Sequence, residues 1–209
     1  MNYILPLLCF AAAYLLGSIN SAVMISRGMF GDDVRNHGSG NAGTTNMMRT
    51  YGGKAAAFCF AGDILKGTVS VQLTRLLFGI AGMESYIGAA VFVAGIVAVL
   101  GHMYPVYFKF KGGKGVATAL GAVVAIDPAV FGIIFVIGIA LAGFSGYVSL
   151  GSLVGATLFI PVYWFYNGGF PTAELIPAAI LVVLIIYNHR TNIKRLLTGT
   201  ENKFYKKKQ

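Results

Sequence analysis

From Gly115 to His189 the chain carries only two charged residues, Asp127 and Glu174, and from Leu76 to Phe108 only Glu84. At a helical rise of about 1.5 Å per residue, stretches so long and so rich in Leu, Ile, Val, Phe and Ala can cross a bilayer. Inside lipid the backbone must satisfy its own hydrogen bonds, so an all-α integral membrane protein is the expected class. Composition agrees: 56% of residues are hydrophobic, 11% are charged and the mean hydropathy is +0.73, outside the range of soluble domains. In 209 residues several spans leave no room for a separate soluble module, and one domain over 1–209 is expected.

Apolar spans are read near 3–25, 55–80, 85–108, 116–126, 128–143, 147–166 and 173–188. The first lacks a basic leader and is too long for a simple signal-peptide core, so it reads as a retained helix. Cys9 and Cys59 lie in apolar spans without metal-ligand or CxxC spacing and read as small buried hydrophobes. Asp127–Pro128 is a breaking point, because proline disfavours a continuous helix there. Lys and Arg gather at 27–54, 109–114 and 190–208, while the connections near Glu84, Asp127 and 167–174 have none. The positive-inside rule puts the three basic clusters on the cytoplasmic face. A break at Asp127 then predicts a bundle of about seven transmembrane helices, N-terminus outside and C-terminus cytoplasmic. Five crossings with 116–143 re-entrant is the alternative.

The net charge of +9 has a topological reading. Lys203, Lys206, Lys207 and Lys208 fit anionic headgroups, and no basic soluble fold is present to bind nucleic acid. The other cations sit among glycines and small polar residues. Phe110, Lys111, Gly112, Gly113, Lys114 and Gly115 open directly into an apolar helix. Uncovered N–H groups, the positive end of the helix dipole and two lysines together suit a phosphate. A nucleotide P-loop is excluded, because Lys114 is followed by Gly115 and the earlier glycine spacing differs.

A second loop runs from His37 through Gly38, Ser39, Gly40, Asn41, Ala42, Gly43, Thr44, Thr45 and Asn46 to Arg49. It allows close backbone approach and offers hydroxyl, amide and guanidinium groups to an anionic, hydroxyl-bearing ligand. A bare connector between helices would need neither the asparagines nor the arginine. The third cluster holds His189, Arg190, Asn192, Lys194, Arg195 and Glu201. His189 and Asn192, three apart, share a helix face, although an interfacial helix end with snorkelling cations would look alike. Asp63 and Lys66 lie inside a span at pairing distance in sequence. They either floor a polar cleft or tie the second span to its neighbours, and the structural role is preferred. His102 reads as a hydrogen-bonded interfacial histidine.

These residues together resemble the bacterial acyl-phosphate:glycerol-3-phosphate acyltransferases, the PlsY family, over nearly the whole chain. The resemblance rests on Gly17 and Ser18, the run Gly38 to Arg49, Asp63 with Lys66 and Gly67, Gly101 and His102, the loop Lys111 to Thr118, Ser149 with Leu150, and His189 with Asn192 and Glu201. It implies transfer of a fatty acyl group from acyl phosphate to the 1-hydroxyl of sn-glycerol 3-phosphate, giving lysophosphatidic acid and phosphate. It further implies a bacterial inner-membrane protein with its active site facing the cytoplasm, no cofactor or metal, and contact with membrane lipid and with the enzyme that makes acyl phosphate.

Carried over by motif, Ser39 and Arg49 are needed for activity, Gly112, Gly113, Lys114 and Gly115 form the glycerol-phosphate loop beside Lys111, His189 and Asn192 are catalytic, and Glu201 is structural. Asn41, Asn46 and Ser149 are expected at the substrate. The chain departs from the family pattern at Ala42 and Thr44, where Pro and Ala are usual, and at Asn20, where proline often stands.

Acyl phosphate is a mixed anhydride with a good leaving group, so positioning and charge stabilisation can supply most of the acceleration. Lys114 and Arg49 are expected to hold the two phosphates, with Ser39, Ser149 and Asn192 donating hydrogen bonds. Either His189 or the donor's own phosphate takes the hydroxyl proton, and the phosphate is preferred. The rival class is a multispan transporter or channel for a small phosphorylated anion. Gly52, Gly53 and Lys54 echo Gly112, Gly113 and Lys114, but the flanking spans do not repeat as transporter halves would. A metal-dependent lipid phosphotransferase would need more clustered carboxylates than Asp32 and Asp33. Thioester-using enzymes carry aspartate five residues after a histidine, where this chain has Ala42, Tyr107 and Lys194.

Overall fold

The structure is a computed structural model describing residues 4–204; Lys206, Lys207 and Lys208, expected at the headgroups, lie outside the described residues. Every regular element among the described residues is helical. The expected first span is two helices, α1 (Ile4–Ser18) and α2 (Ser21–Phe30), which together are apolar and long enough to cross a membrane. The interruption has a local cause. Asn20 Oδ1 accepts the Val23 N–H at 3.0 Å and caps α2. That N–H would otherwise bond the Ile19 carbonyl, which is left free for a partner on another helix.

A single 3-10 turn at Val34–Asn36 leads to α3 (Thr44–Tyr51), then α4 (Gly53–Ile80) and α5 (Glu84–Met103). After the turn Val106–Phe108 and the glycine-lysine loop come α6 (Val116–Ile126), α7 (Pro128–Ser145), α8 (Val148–Asn167), α9 (Thr172–Asn188) and α10 (Arg190–Leu197). The expected break at Asp127 is present. Its Oδ1 accepts the N–H groups of Ala129 and Val130, both at 3.0 Å, and Pro128 occupies the first turn of α7, where its missing donor costs nothing.

Among the described residues four stretches qualify as spans by length and hydropathy: Ile4–Phe30, Glu84–Phe108, Pro128–Ser145 and Val148–Asn167. The pair α9 and α10, bent by 56°, makes a fifth if taken as one. The longest helix, α4 with 28 residues, falls below the hydropathy of the others because it carries Asp63, Lys66, Gln72 and Arg75. With 11 residues, α6 reaches only about 16 Å against a hydrocarbon core of about 30 Å.

The bundle is organised around α4 and α5, which pack on each other, on α1 and on α6, while α7 and α8 form a pair joined to the rest through α6 and α9. Glycine sets a close crossing. A Cβ on Gly67 would collide with the Thr118 carbonyl and one on Gly121 with the Ile64 carbonyl, so α4 and α6 meet backbone to backbone. Phe92, Phe159, Tyr163 and Phe170 interlock at the other end of the bundle over Val123, Val130 and Ile134. Large apolar side chains also face outward, Phe144 at 90% exposure and Phe165 at 85%, as lipid contact requires.

Candidate active site

The starts of α3, α4, α6 and α8 line one cleft of about 430 Å³. None of these four helices has a side-chain cap at its N-terminus, so orphan N–H groups and positive dipole ends converge there. The same cleft is lined by Ser39, Asn41, Asn46, Arg49, Lys114, Gly115, Ser149, His189, Asn192, Arg195 and Glu201. Residues from all three basic clusters, scattered over the sequence, thus share a wall.

The C-terminal segment ties the wall together. Glu201 Oε1 accepts from Ser149 Oγ at 2.9 Å and from Asn192 Nδ2 at 2.6 Å, while Oε2 pairs with Arg195 Nε at 2.6 Å. The Asn192 side chain passes the chain on, its Oδ1 accepting from the Lys114 ammonium. Arg49 Nη2 donates to the Asn202 carbonyl at 2.9 Å, and Phe204 N–H donates to the Gly146 carbonyl at 3.0 Å. One carboxylate thereby fixes side chains from α8 and α10, and through Asn192 the lysine before α6. Burial opposes the charge of Glu201, but hydrogen bonds from Arg195, Asn192 and Ser149 hold it below the ordinary glutamate value.

The Ser39 loop holds its shape through Asn46, which is buried. Its Nδ2 donates to the carbonyls of Val34 and His37, and its Oδ1 accepts the Ser39 N–H, each at 3.0 Å. Asn46, expected at the substrate, therefore has its amide committed to the loop, because three short contacts leave it little capacity for a ligand. Arg35 then locks this loop to the next one. It pairs with Asp33 at 2.7 Å and donates from Nη1 to the carbonyls of Phe108 and Lys111, both at 3.0 Å. The Arg35 guanidinium holds the Asp33 carboxyl well below the usual carboxylate range.

The glycine-lysine loop differs from the expectation in which groups it presents. Gly112 N–H donates to the Met103 carbonyl at 3.1 Å and Gly113 N–H to the His102 carbonyl at 3.2 Å, zipping the loop onto the end of α5. Their N–H groups are used, Lys111 is exposed, and none of the three lines the cleft. What the cleft receives is Lys114, Gly115 and the first turn of α6 at Val116 and Ala117. Gly115, at φ 86, lies in the left-handed region that a side chain would strain, and it turns the chain from loop into helix.

His189 follows the last residue of α9, outside that helix, and is buried. Its Nδ1–H donates to the Ile185 carbonyl at 2.8 Å, so Nε2 carries the lone pair. Burial pushes its imidazole down to about 4, and the ring is neutral at pH 7.

Asp63 and Lys66 form a buried ion pair within α4. Lys66 Nζ lies 2.9 Å from Asp63 Oδ1, 2.7 Å from the Ile19 carbonyl freed by the Asn20 cap, and 2.9 Å from His102 Nδ1. The pair ties α4 to α1 and α5, and Asp63 and His102 also line the cleft. Two residues at the wall stood outside the expected site. Arg195 is three positions from Asn192, and that spacing was the available signal; His102 directly precedes the turn into the glycine loop.

Fold and cleft together define a polytopic helical membrane protein with a cation-lined cleft at one end of an apolar bundle. The family described as glycerol-3-phosphate acyltransferase matches residues 7–199. The glycerol-3-phosphate acyltransferase of Thermoanaerobacter sp. (strain X514) is 43% identical over 198 residues, 93% of each chain, and that of Aquifex aeolicus (strain VF5) is 44% identical over 195 residues, 92% of this chain and 95% of the other. A crystal structure of PlsY (YgiH), an integral membrane glycerol 3-phosphate acyltransferase, in its glycerol 3-phosphate form superposes with a TM-score of 0.85 at 41% identity, covering 96% of both chains. The lysophosphatidic acid form gives 0.81 at 38% identity over 95% of this chain and 94% of that one. The chain belongs to the PlsY family of glycerol-3-phosphate acyltransferases.

Proposed function

We propose that this acyltransferase uses acyl phosphate as donor and acylates the 1-hydroxyl of sn-glycerol 3-phosphate, releasing lysophosphatidic acid and inorganic phosphate at the cytoplasmic face of a bacterial inner membrane. The observation that carries this reading is that the cation-lined cleft adjoins an apolar groove of about 150 Å³. The two share Phe60, Val116, Phe135, Ile139, Val148 and Ser152 as wall. The groove runs between α6, α7, α8 and α9, lined by Leu120, Val123, Ile134, Gly138, Gly151 and Phe159. A donor with an anionic head and a lipid tail matches a charged chamber joined to a greasy one, and relatives crystallised with glycerol 3-phosphate and lysophosphatidic acid support the acceptor and the product.

Lys114 and Arg49 hold the two phosphates, assisted by free N–H groups at the start of α6. Ser39, Asn41 and the second amide proton of Asn192 orient oxygens around the reacting carbon, while Ser149, whose one proton goes to Glu201, holds that carboxylate in place. The acceptor hydroxyl attacks the acyl carbonyl, a new ester C–O bond forms, the carbonyl-carbon-to-phosphate-oxygen bond breaks, and phosphate departs with the hydroxyl proton. An imidazole held near 4 is a weak base at neutral pH, which favours the phosphate as proton acceptor and leaves His189 to orient the hydroxyl through Nε2. Seven crossings, counting α4 and the short α6, with the N-terminus outside, bring the three basic clusters to one face.

Purified protein given glycerol 3-phosphate with either palmitoyl phosphate or palmitoyl-CoA tests the donor. Lysophosphatidic acid is expected from palmitoyl phosphate alone. Product from the thioester alone would overturn the donor, and product from neither would return attention to transport.

A further inference from the structure

One buried polar group at the floor of the cleft has no role in the chemistry above. His102, at the end of α5, is 3% exposed and lines the cleft. Its Nδ1 faces the Lys66 ammonium at 2.9 Å. An ammonium has only protons to offer, so Nδ1 is the accepting nitrogen and the ring proton resides on Nε2. Asp63, 1% exposed and 2.9 Å from Lys66, pairs with that ammonium and aims it, and the Ile19 carbonyl accepts from it as well. The buried assembly thus has one polarity, carboxylate to ammonium to imidazole, and it ends in an N–H.

That N–H makes no hydrogen bond of its own among the described residues, although the Ala42 carbonyl borders the same edge of the ring. Its ring edge lies against Gly113, where a Cβ would collide with Nε2. The absence of a side chain at Gly113 therefore keeps the donor uncovered between the glycine loop and the Ser39 loop. A donor at the wall of a polar cleft is available to an acceptor that a ligand brings. The surrounding groups say which acceptor. Arg49, Lys114 and Arg195 and four helix starts face the cleft, with Glu201 and the lysine-paired Asp63 as its carboxylates. The complementary ligand is rich in anionic oxygens.

We propose that His102 is a substrate-contacting residue whose Nε2–H donates to a phosphoryl oxygen in the cleft, and that Asp63 and Lys66 are positioning residues that set its tautomer. This rests on the reading that the cleft takes a phosphoryl group, and it can be tested without acyl transfer. The chain has three histidines, so protein labelled with 15N-histidine gives a short list of ring signals, assignable with H37Q and H189Q. Titrating wild-type protein with inorganic phosphate, and separately with glycerol 3-phosphate, should move the His102 Nε2 proton downfield in a saturable way. H102Q, which keeps a donor near the Nε2 position, should retain phosphate affinity within about 3-fold, and H102F should lose about 10-fold or more, as expected for one hydrogen bond to a charged group.

A His102 ring signal that stays on Nε2–H but does not respond to either ligand would overturn the contact and leave the residue as a clamp on the Gly113 backbone. A proton found on Nδ1 would overturn the tautomer and with it the proposal. Phosphate binding that moves the signal in a protein that makes no lysophosphatidic acid would uphold this inference while the proposed reaction fell.

Discussion

At Lys114 the same burial that brings the ammonium to the ligand also sets a pH limit. Desolvation lowers it to about 8, Arg195 and Arg49 push the same way, and Glu201 opposes them. Without ligand, the buried charge costs stability below about pH 8, and the cost fades as pH climbs toward the ordinary lysine value of 10.5. A phosphate partner needs the charged form. Hence kcat/KM for glycerol 3-phosphate should fall with rising pH above about 8, following loss of one proton, and K114R should push that alkaline limb well higher because arginine keeps its charge. Initial rates across the alkaline range read this directly. At His189, a role in orientation predicts that H189Q keeps the KM for glycerol 3-phosphate and loses about 10-fold in kcat. A loss within the 10²–10⁴ range of general-base catalysis would instead make the imidazole the base. Several of these residues could be named from their spacing. The division of labour among them could not, because Asn46 and Asn192 have the same side chain and differ only in which partners the folded chain brings within reach.

Helix termini do most of the work at the next scale. The cleft exists because α3, α4, α6 and α8 start at the same end of the bundle without side-chain caps, whereas Asn20 and Asp127 cap α2 and α7. The breaks at Asp127–Pro128 and Gly115 were legible, since proline and glycine punctuate chains by local sterics. The break at Asn20 was not, because Asn20 caps α2 only in partnership with a lysine on another helix that takes the freed Ile19 carbonyl. The placement of α6 depends on Gly67 and Gly121. G121A should force α4 and α6 apart, destabilise the fold by about 1–3 kcal/mol through overpacking and carry Lys114 away from Asn192. Thermal unfolding in detergent and activity should fall together in G121A, while G132A, with open space around it, should leave both unchanged.

For the whole molecule, the charge pattern predicts orientation. Single cysteines placed at Gly169 and at Lys54 in a background lacking Cys9 and Cys59 should react with an impermeant maleimide from opposite sides of the membrane, Gly169 from outside. Labelling of both from one side would require a different topology. What the residue string determined by itself was the class, from long runs without charge, together with the three polar clusters and their common face, from the distribution of Lys and Arg. Those are local or additive properties: hydropathy sums over a span, and the positive-inside rule counts residues. Tertiary structure alone decided that Glu201, far along the chain, joins Ser149, Asn192 and Arg195, that Gly112 and Gly113 support the cleft from behind while Lys114 enters it, and that Asp63 and Lys66 aim a histidine. These are matters of which donor meets which acceptor, and that depends on helix crossings set to within an ångström by backbone contacts that no run of residues contains.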